Sequence, residues 1–194
     1  MLIDISPVLD ASIGVWPGDV PFRQQAPGDV CMSLHAGAHA DAPRHLIDSA
    51  PDIASRRLDA YIGPCVVIDV HPRRAERIAP QHLAGKALSA PRVLLRTRSF
   101  RDWRNWNDDF AGISAQLVAD FYEHGVMLVG IDTPSVDPFR SELEAHRACI
   151  HYDIAILEGL VLDDVEEGEY ELIAPPLRIR GADGSPERAV LRTL

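Results

Sequence analysis

The most constraining feature of the sequence is the stretch HAGAHADAPRH, which places His35, His39, Asp41 and His45 within eleven positions. The residues between them are almost all alanine or glycine, so several ligand-type side chains can converge without crowding. The spacing lets His35 and His39 share a helical face, or His39 and Asp41 share a strand face. Pro43 disfavours helical geometry at and before its own position. We therefore predict an extended-to-turn segment that directs His35, His39 and Asp41 at one point, with His45 just beyond.

This set of side chains is chemically suited to a divalent metal ion. Two neutral imidazoles and a carboxylate suit Zn²⁺, with Mn²⁺ and Fe²⁺ as alternatives. An open coordination position would hold water and lower its pKa toward neutrality. The alternative is that these histidines lie on a surface loop and make only hydrogen bonds. Three of the eight histidines of the chain lie here beside an aspartate, and this density favours a metal site.

Composition limits the remaining possibilities. A chain of 194 residues with 46% hydrophobic content predicts a single domain over 1–194. Its three cysteines have no CxxC spacing, and the start MLIDISPVLD lacks the basic residues of a signal peptide, so we expect a cytoplasmic location. No apolar run approaches the ~20 residues of a membrane span. A net charge of −10 without a basic stripe argues against nucleic acid and anionic membranes, which leaves a small-molecule partner.

Hydrophobic patterning predicts a strand-rich chain with few helices. Continuous apolar runs at 64–70, 92–97 and 126–132 are typical of buried strands. Weaker patterns predict strands at 2–6, after the turn in the segment 163–177, and at 187–193. Ser114 is predicted to cap a helix that runs to about His124, with Gly125 at the position after its end.

A second group of candidate site residues lies more than a hundred positions later. Glu158 interrupts the apolar run 154–162, where an ionised carboxylate is costly unless it is paired or bound to a cation. The alternative is a glutamate at a strand end that faces solvent. His146 and His151 are the nearby histidines, and the residues alone leave both readings of Glu158 open.

The tryptophans have more than one interpretation. Trp16 lies in the turn VWPGD and either fills the core or forms an aromatic wall for a planar substrate. Trp103 and Trp106 lie among charges in the segment 100–110. We predict a long loop there that covers the site, forms a subunit contact, or only anchors aromatic side chains at the surface.

The motif HAGAHADAPRH resembles the H-x-G-x-H-x-D-A-P-x-H signature of the metal-dependent cyclase family. WPGD, GIDTPSVDP, AILEGLVLDDV and GEYELIA extend this resemblance along the chain, toward the bacterial kynurenine formamidase (arylformamidase) members. The resemblance implies a mixed α/β, swivelling β/β/α fold, with a mixed, partly barrel-like sheet and flanking helices, in a homodimer. One departure is the segment 22–34, which is shorter than the family implies and predicts a trimmed strand beside Trp16.

The resemblance also implies roles for individual residues. A histidine followed 12 positions later by a glutamate in an I-L-E-G-L context matches the family, so His151 is left as structural. The implied metal ligands are His35, His39, Asp41, His146 and Glu158. Five ligands are too many for one tetrahedral zinc with an open position, which favours two ions that share carboxylates. His45 then remains as general base and acid, and Trp16 lines the substrate site.

The activity implied by the resemblance is hydrolysis of N-formyl-L-kynurenine to L-kynurenine and formate, in tryptophan degradation. Zn²⁺ is the implied cofactor, with two ions per subunit and Mn²⁺ as the alternative. A nearer rival is a family hydrolase that acts on isatin or another cyclic amide with the same ligands, and only the substrate profile separates the two. A more distant rival is a non-catalytic metal-binding protein, which would have no need of an unligated His45.

Overall fold

The strands of the computed structural model follow the apolar runs of the sequence. The model describes residues 1–25 and 28–194, so positions 26 and 27 of the shortened segment lie outside the described residues. The strands are β1 (Leu2–Asp4), β2 (Arg23–Gln25), β3 (Asp29–Cys31), β4 (His39–Asp41), β5 (Ile62–Asp69), β6 (Arg77–Ile78), β7 (Arg92–Arg96), β8 (Gly112–Ile113), β9 (Leu128–Ile131), β10 (Ala155–Glu158), β11 (Gly168–Ile173), β12 (Gly184–Pro186) and β13 (Val190–Thr193). The α-helices are α1 (Ala115–Glu123) and α2 (Glu144–Tyr152).

Nine strands form one curled, half-barrel sheet in the order β1-β13-β11-β5-β7-β9-β10-β4-β12. The centre, from β5 through β7 and β9 to β10, is parallel, and the strands on both sides of it pair antiparallel. Two small two-stranded sheets pair β2 with β3 and β6 with β8. The prediction of a mixed α/β fold with a partly barrel-like sheet and flanking helices is confirmed.

Between their charged ends, such as Arg92 and Arg96 of β7, the parallel strands are mainly apolar because both faces of the sheet are buried. Val66 and Ile68 of β5 face a core that includes α1 and α2, whereas Cys65 and Val67 face a second core on the opposite side. Successive side chains of a strand point to opposite faces, so a continuous apolar run supplies both cores. The sheet thereby holds its polar strand ends in fixed positions.

Helix α1 begins and ends where its sequence predicts. The hydroxyl oxygen of Ser114 accepts a hydrogen bond from the Leu117 backbone N–H at 3.1 Å, and Gly125 follows with φ of 75°. Leu117, Val118 and Phe121 form its buried face.

Helix α2 carries His146 but has no clear signal in the sequence. Its N-cap position is Leu143, which has no side-chain oxygen to accept from the first N–H groups. Asp153, the residue after its last turn, adopts the left-handed conformation with φ of 53°. Only Ala145, His146 and Cys149 of its nine residues are buried. In the described part of the chain, neither helix is long and apolar enough to cross a membrane.

Candidate metal centre

The antiparallel pair β4–β10 brings the two groups of candidate residues together. In its register His39 pairs with Glu158, and Asp41 pairs with Ile156. The intervening Ala40 is fully buried in the core on the other face. Because side chains alternate along a strand, His39, Asp41 and Glu158 all project from the same face of the sheet. The predicted convergence of His39 and Asp41 therefore arises from strand geometry.

A backbone contact fixes the His39 ring and leaves its Nε2 atom available to bind a metal ion. Its Nδ1 lies 2.9 Å from the Gly37 carbonyl oxygen, which accepts the Nδ1 proton. The Nε2 atom then lies 3.1 Å from Glu158 Oε2 and 3.6 Å from Asp41 Oδ1. This is the arrangement of a metal-ligating histidine, whose second nitrogen is fixed by a backbone carbonyl.

Two glycines allow the backbone at this point to pack closely. Gly37 has φ of 68° and Gly159 has φ of 73°. A Cβ at Gly159 would lie 1.9 Å from the Gly37 carbonyl oxygen, the oxygen that holds His39. The residue after Glu158 must therefore be glycine for the carbonyl to keep its place.

His146 enters the cluster from α2. Its Nδ1 donates to Asp137 Oδ2 at 2.8 Å, and its Nε2 lies 3.1 Å from Asp41 Oδ2 and 3.4 Å from Glu158 Oε1. Asp137 also accepts the backbone N–H groups of Ala145 and His146 at 3.1 Å. Asp137 thus anchors the first turn of the helix and orients the imidazole at the same time.

His35 lies at the outer side of the same carboxylate. Its Nδ1 lies 2.9 Å from Asp41 Oδ1, and its Nε2 lies 3.2 Å from Asp183 Oδ2. Asp41 therefore faces His35 and His39 with one oxygen and His146 with the other. This buried carboxylate is the centre of the cluster.

The pKa values of these groups reflect their close pairing. Burial works to lower the pKa of His35, but the Asp41 carboxylate raises it to about 9. Burial opposes the charged form of His146 as well, and the hydrogen bonds to Asp137 and Asp41 raise its pKa to about 10. Burial also works to raise the pKa of Asp41, yet the adjacent His35 and His146 hold it well below its ordinary value. Without a metal ion, the buried carboxylates draw positive charge onto these imidazoles.

The donor set fits a divalent metal ion. His35, His39 and Asp41 offer ligand atoms within 4.8 Å of one another, and so do Asp41, His45 and His146. Buried imidazole and carboxylate groups are the ligands that Zn²⁺ and Mn²⁺ take in proteins, and a dication would supply the charge that the imidazolium groups supply in its absence.

A cavity of about 520 Å³ opens directly onto the cluster. Its lining includes the polar residues of the cluster and its surroundings, namely His35, His39, His45, His146, Glu158 and Asp183. The lining also includes Trp16, Trp103 and Trp106. The ring of Trp16 also packs against Phe139 and Trp106, with ring centroids 5.0 and 5.4 Å away. Trp16 therefore both joins an aromatic cluster and lines the cavity, and the 100–110 loop lines it too.

His45 lies at the edge of the cavity, on a short 3₁₀ turn that begins at Pro43. Its ring centroid is 4.4 Å from that of His35 and 5.7 Å from that of His146. Its Nδ1 lies 3.2 Å from Asp183 Oδ2, so its Nε2 is the nitrogen that does not face this carboxylate. Among the three histidines of the motif, His45 is the most exposed.

Two residues of the site were not predicted from the sequence. Asp137 follows the turn TPSV, and its only signal was its place in a polar segment after a strand. Asp183 precedes Gly184 at the start of β12, and an Asp-Gly pair before a strand reads as an ordinary turn. His151, left as structural, lies exposed on α2 away from the cluster. His35, His39, Asp41, His146 and Glu158 do come together.

Comparisons with known proteins agree with this architecture. Residues 3–138 match the family model described as Putative cyclase. Kynurenine formamidase of Bordetella pertussis is 45% identical, covering 100% of this chain and 98% of that protein. Kynurenine formamidase of Bordetella petrii is 43% identical with the same coverage.

Solved structures share the fold at lower identity. A structure described as a potential metal-dependent hydrolase with cyclase activity has a TM-score of 0.87 and 23% identity, covering 98% of this chain and 96% of that one. Isatin hydrolase A from Labrenzia aggregata has a TM-score of 0.81 and 23% identity, with 98% and 93% covered.

Fold and site together define a mixed α/β protein whose sheet presents a buried cluster of histidines and carboxylates at the base of a cavity. The family model and the relatives at 45% identity over the full chain make the assignment specific. The chain belongs to the cyclase family, and the resemblance predicted from its motifs is confirmed.

Proposed function

We propose that this chain hydrolyses N-formyl-L-kynurenine to L-kynurenine and formate. The observation that carries the proposal is its 45% identity, over its whole length, to kynurenine formamidases. The site is chemically consistent with this substrate, because tryptophans and a cluster of polar groups line the same cavity. Tryptophan rings suit an aryl group, and the polar cluster suits its formamide.

The proposed metal ligands are His35, His39, Asp41, His146 and Glu158. Two ions per subunit fit the way in which Asp41 faces His35 and His39 with one oxygen and His146 with the other. Zn²⁺ is the proposed ion, with Mn²⁺ as the alternative. When bound, such ions lower the pKa of a water molecule and stabilise negative charge on a carbonyl oxygen.

The residues of the chain supply binding and proton transfer. Trp16, with Trp103 and Trp106 beside it, holds the aryl ring so that the formamide carbon faces the cluster. His45 Nε2 accepts a proton from the attacking water molecule while the water oxygen forms a bond to the formyl carbon. The same nitrogen then gives that proton to the aryl nitrogen as the carbon–nitrogen bond breaks, which releases formate and the free arylamine. We also propose a cytoplasmic homodimer of single-domain subunits.

The first test is turnover of N-formyl-L-kynurenine by the purified protein, followed by the absorbance of kynurenine. We expect turnover that a chelator abolishes and that Zn²⁺ or Mn²⁺ restores. Bound metal without turnover of this substrate, but with ring opening of isatin, would replace the proposal with the related cyclic-amide hydrolase. A protein that binds no metal and turns over neither substrate would refute the site as well as the function.

The role of His45 has its own test, since this residue also lies within reach of a metal cluster. We expect His45→Ala to retain the metal content of the wild type and to lose about 10²- to 10⁴-fold in kcat, the range typical of general acid–base groups. Metal analysis and kinetics on the same preparation separate the two roles. A variant that loses metal in proportion to activity would make His45 a ligand instead.

A further inference from the structure

Asp183 is a carboxylate of the cavity that belongs to no predicted motif and to no proposed ligand set. Its Oδ2 atom lies 3.2 Å from His45 Nδ1 and 3.2 Å from His35 Nε2. We propose that Asp183 is a positioning residue, which fixes the orientation and tautomer of His45 so that Nε2 is free of its proton and faces the substrate. This inference rests on the proposed function, because it assigns Asp183 a part in the same reaction.

Asp183 is fixed beside the motif because it directly precedes β12, the edge strand that pairs with β4. The Ala42 backbone N–H donates to the Asp183 carbonyl oxygen at 2.8 Å, and the next residue, Gly184, pairs with Asp41 in the β4–β12 ladder. A Cβ at Gly184 would lie 2.7 Å from His35 Cε1, so the backbone here packs directly against that ring. The position of the carboxylate is therefore set by a strand and not by a free loop.

The chemistry of imidazole gives this contact a consequence. Neutral histidine carries one proton, on either Nδ1 or Nε2, and only the nitrogen without it can act as a base. A carboxylate that accepts from Nδ1–H favours the tautomer with a free Nε2, which is how an aspartate assists the histidine of hydrolytic triads. The His45 side chain is 31% exposed, and the Asp183 carboxylate is the hydrogen-bond partner that the structure gives its ring.

An alternative is that Asp183 acts through metal instead. His35, His45 and Asp183 together offer ligand atoms within 4.8 Å of one another. If Asp183 bound an ion, or oriented His35 as a ligand, its loss would lower the metal content of the protein. Metal content is therefore the measurement that separates a partner of His45 from a metal ligand.

The kinetic test compares Asp183→Asn with Asp183→Glu and with the control Asp48→Asn, an exposed acid three positions after His45. Each variant is saturated with Zn²⁺, and its zinc content, kcat and KM for N-formyl-L-kynurenine are measured. For Asp183→Asn we expect unchanged zinc content, a KM within about twofold, and a kcat lower by about 10- to 100-fold, part of the general acid–base contribution. Asp183→Glu should recover part of the loss, and Asp48→Asn should match the wild type.

Coupling to His45 is tested by a double variant. Because both changes remove the same proton-transfer function, Asp183→Asn combined with His45→Gln should be no slower than His45→Gln alone. Losses that multiply, a wild-type kcat for Asp183→Asn, or a fall in its zinc content would each overturn the proposal.

The tautomer is read directly by ¹⁵N NMR of the histidine side chains in the zinc-loaded protein. We expect the His45 signals to report Nδ1–H in the wild type and Asp48→Asn, and a mixture of tautomers in Asp183→Asn. A wild type with Nε2–H, or an unchanged signal in the variant, contradicts the inference. Since this readout needs no turnover, an inactive wild type with the expected signals would refute the proposed function and leave the positioning of His45 standing.

Discussion

Asp41 is the residue on which the candidate metal centre depends most. It is buried, its two oxygens face three different imidazoles, and its pKa is held well below the ordinary value although burial works against this. Such a carboxylate is stable only with positive charge beside it, supplied either by imidazolium groups or by metal ions. One prediction at the residue scale follows from the exchange between these two sources of charge, and a second concerns Asp137, which orients His146.

Metal binding is expected to release protons. The pKa values of His35 and His146 are raised to about 9 and about 10, so both rings are positively charged imidazolium groups at pH 7 in the metal-free protein. A metal ion binds only the neutral ring, so the apparent affinity for Zn²⁺ should rise with pH from neutrality up to the two pKa values, about 9 and about 10. Titration calorimetry in buffers of different ionisation enthalpy measures the protons released. Equal binding enthalpies in all buffers would contradict this charge exchange.

Asp137 is expected to control metal affinity without touching the metal. Asp137→Asn removes the carboxylate that accepts from His146 Nδ1–H, so the ring loses its fixed orientation and part of its basicity. Removal of such partners costs about 10- to 100-fold in metal affinity. Competition with a chromophoric chelator measures the change, and Asp164→Asn, at an exposed turn, is the control. An unchanged affinity would show that the helix alone orients His146.

At the scale of elements, Gly159, just after β10, packs so closely against Gly37, in the loop before β4, that there is no room for a side chain. Gly159→Ala would place a Cβ 1.9 Å from the Gly37 carbonyl oxygen, which holds His39 Nδ1. We expect a loss of about 3 kcal/mol or more in unfolding free energy, from steric overlap added to left-handed backbone strain. Zinc affinity should fall as well, because the carbonyl must move.

Gly125→Ala is the matched control for this prediction. Gly125 has φ of 75°, close to the 73° of Gly159, but nothing lies within 4 Å of the position of its Cβ. It should therefore cost about 1 kcal/mol from backbone conformation alone and leave zinc affinity unchanged. Urea unfolding of both variants, with zinc titrations, tests the pair. Equal losses in the two variants would mean that the close approach at Gly37 has no energetic role.

The sequence predicts elements well where local chemistry determines them. The apolar runs of β5, β7 and β9 and the capped helix α1 are examples, because each carries its own signal. Helix α2 is the counterexample, since tertiary packing of Ala145 and Cys149 and the contacts of Asp137 stabilise it without a side-chain cap. His146 could consequently be predicted from the family's spacing of a histidine to Glu158, but it could not be placed on a helix.

At the scale of the whole molecule, the metal ions would connect distant parts of the chain. The proposed ligands come from the motif, from α2 and from the end of β10. A metal ion that binds only the folded state stabilises it by about 3 kcal/mol when its free concentration is 100 times Kd. For a chain of this size, this corresponds to a rise of roughly 5–10 °C in Tm. We expect a chelator to lower Tm by this amount and Zn²⁺ to restore it. A His39→Ala variant should show little response, and an equal response there would place the stabilising metal elsewhere.

The topology itself lay beyond the sequence. Nothing in the alternation of residues shows that β4 inserts between β10 and β12, because strand pairing depends on the packing of the whole sheet. The convergence of His35, His39 and Asp41 could be predicted from their local spacing. The contact of Asp183 with His45, 138 positions apart, required the completed fold.

The pairing of β4 with β10 has a consequence for how the protein acquires its metal during synthesis. The growing chain presents His35, His39 and Asp41 early, but His146 meets Asp41 only after 105 further residues have been made. Until then, the ribosome-bound chain has three of the five proposed ligands and lacks β10, the strand that pairs with β4. We therefore expect the five proposed ligands to bind metal together only after β10 has left the ribosome, so that metal loading would report the pairing of β4 with β10.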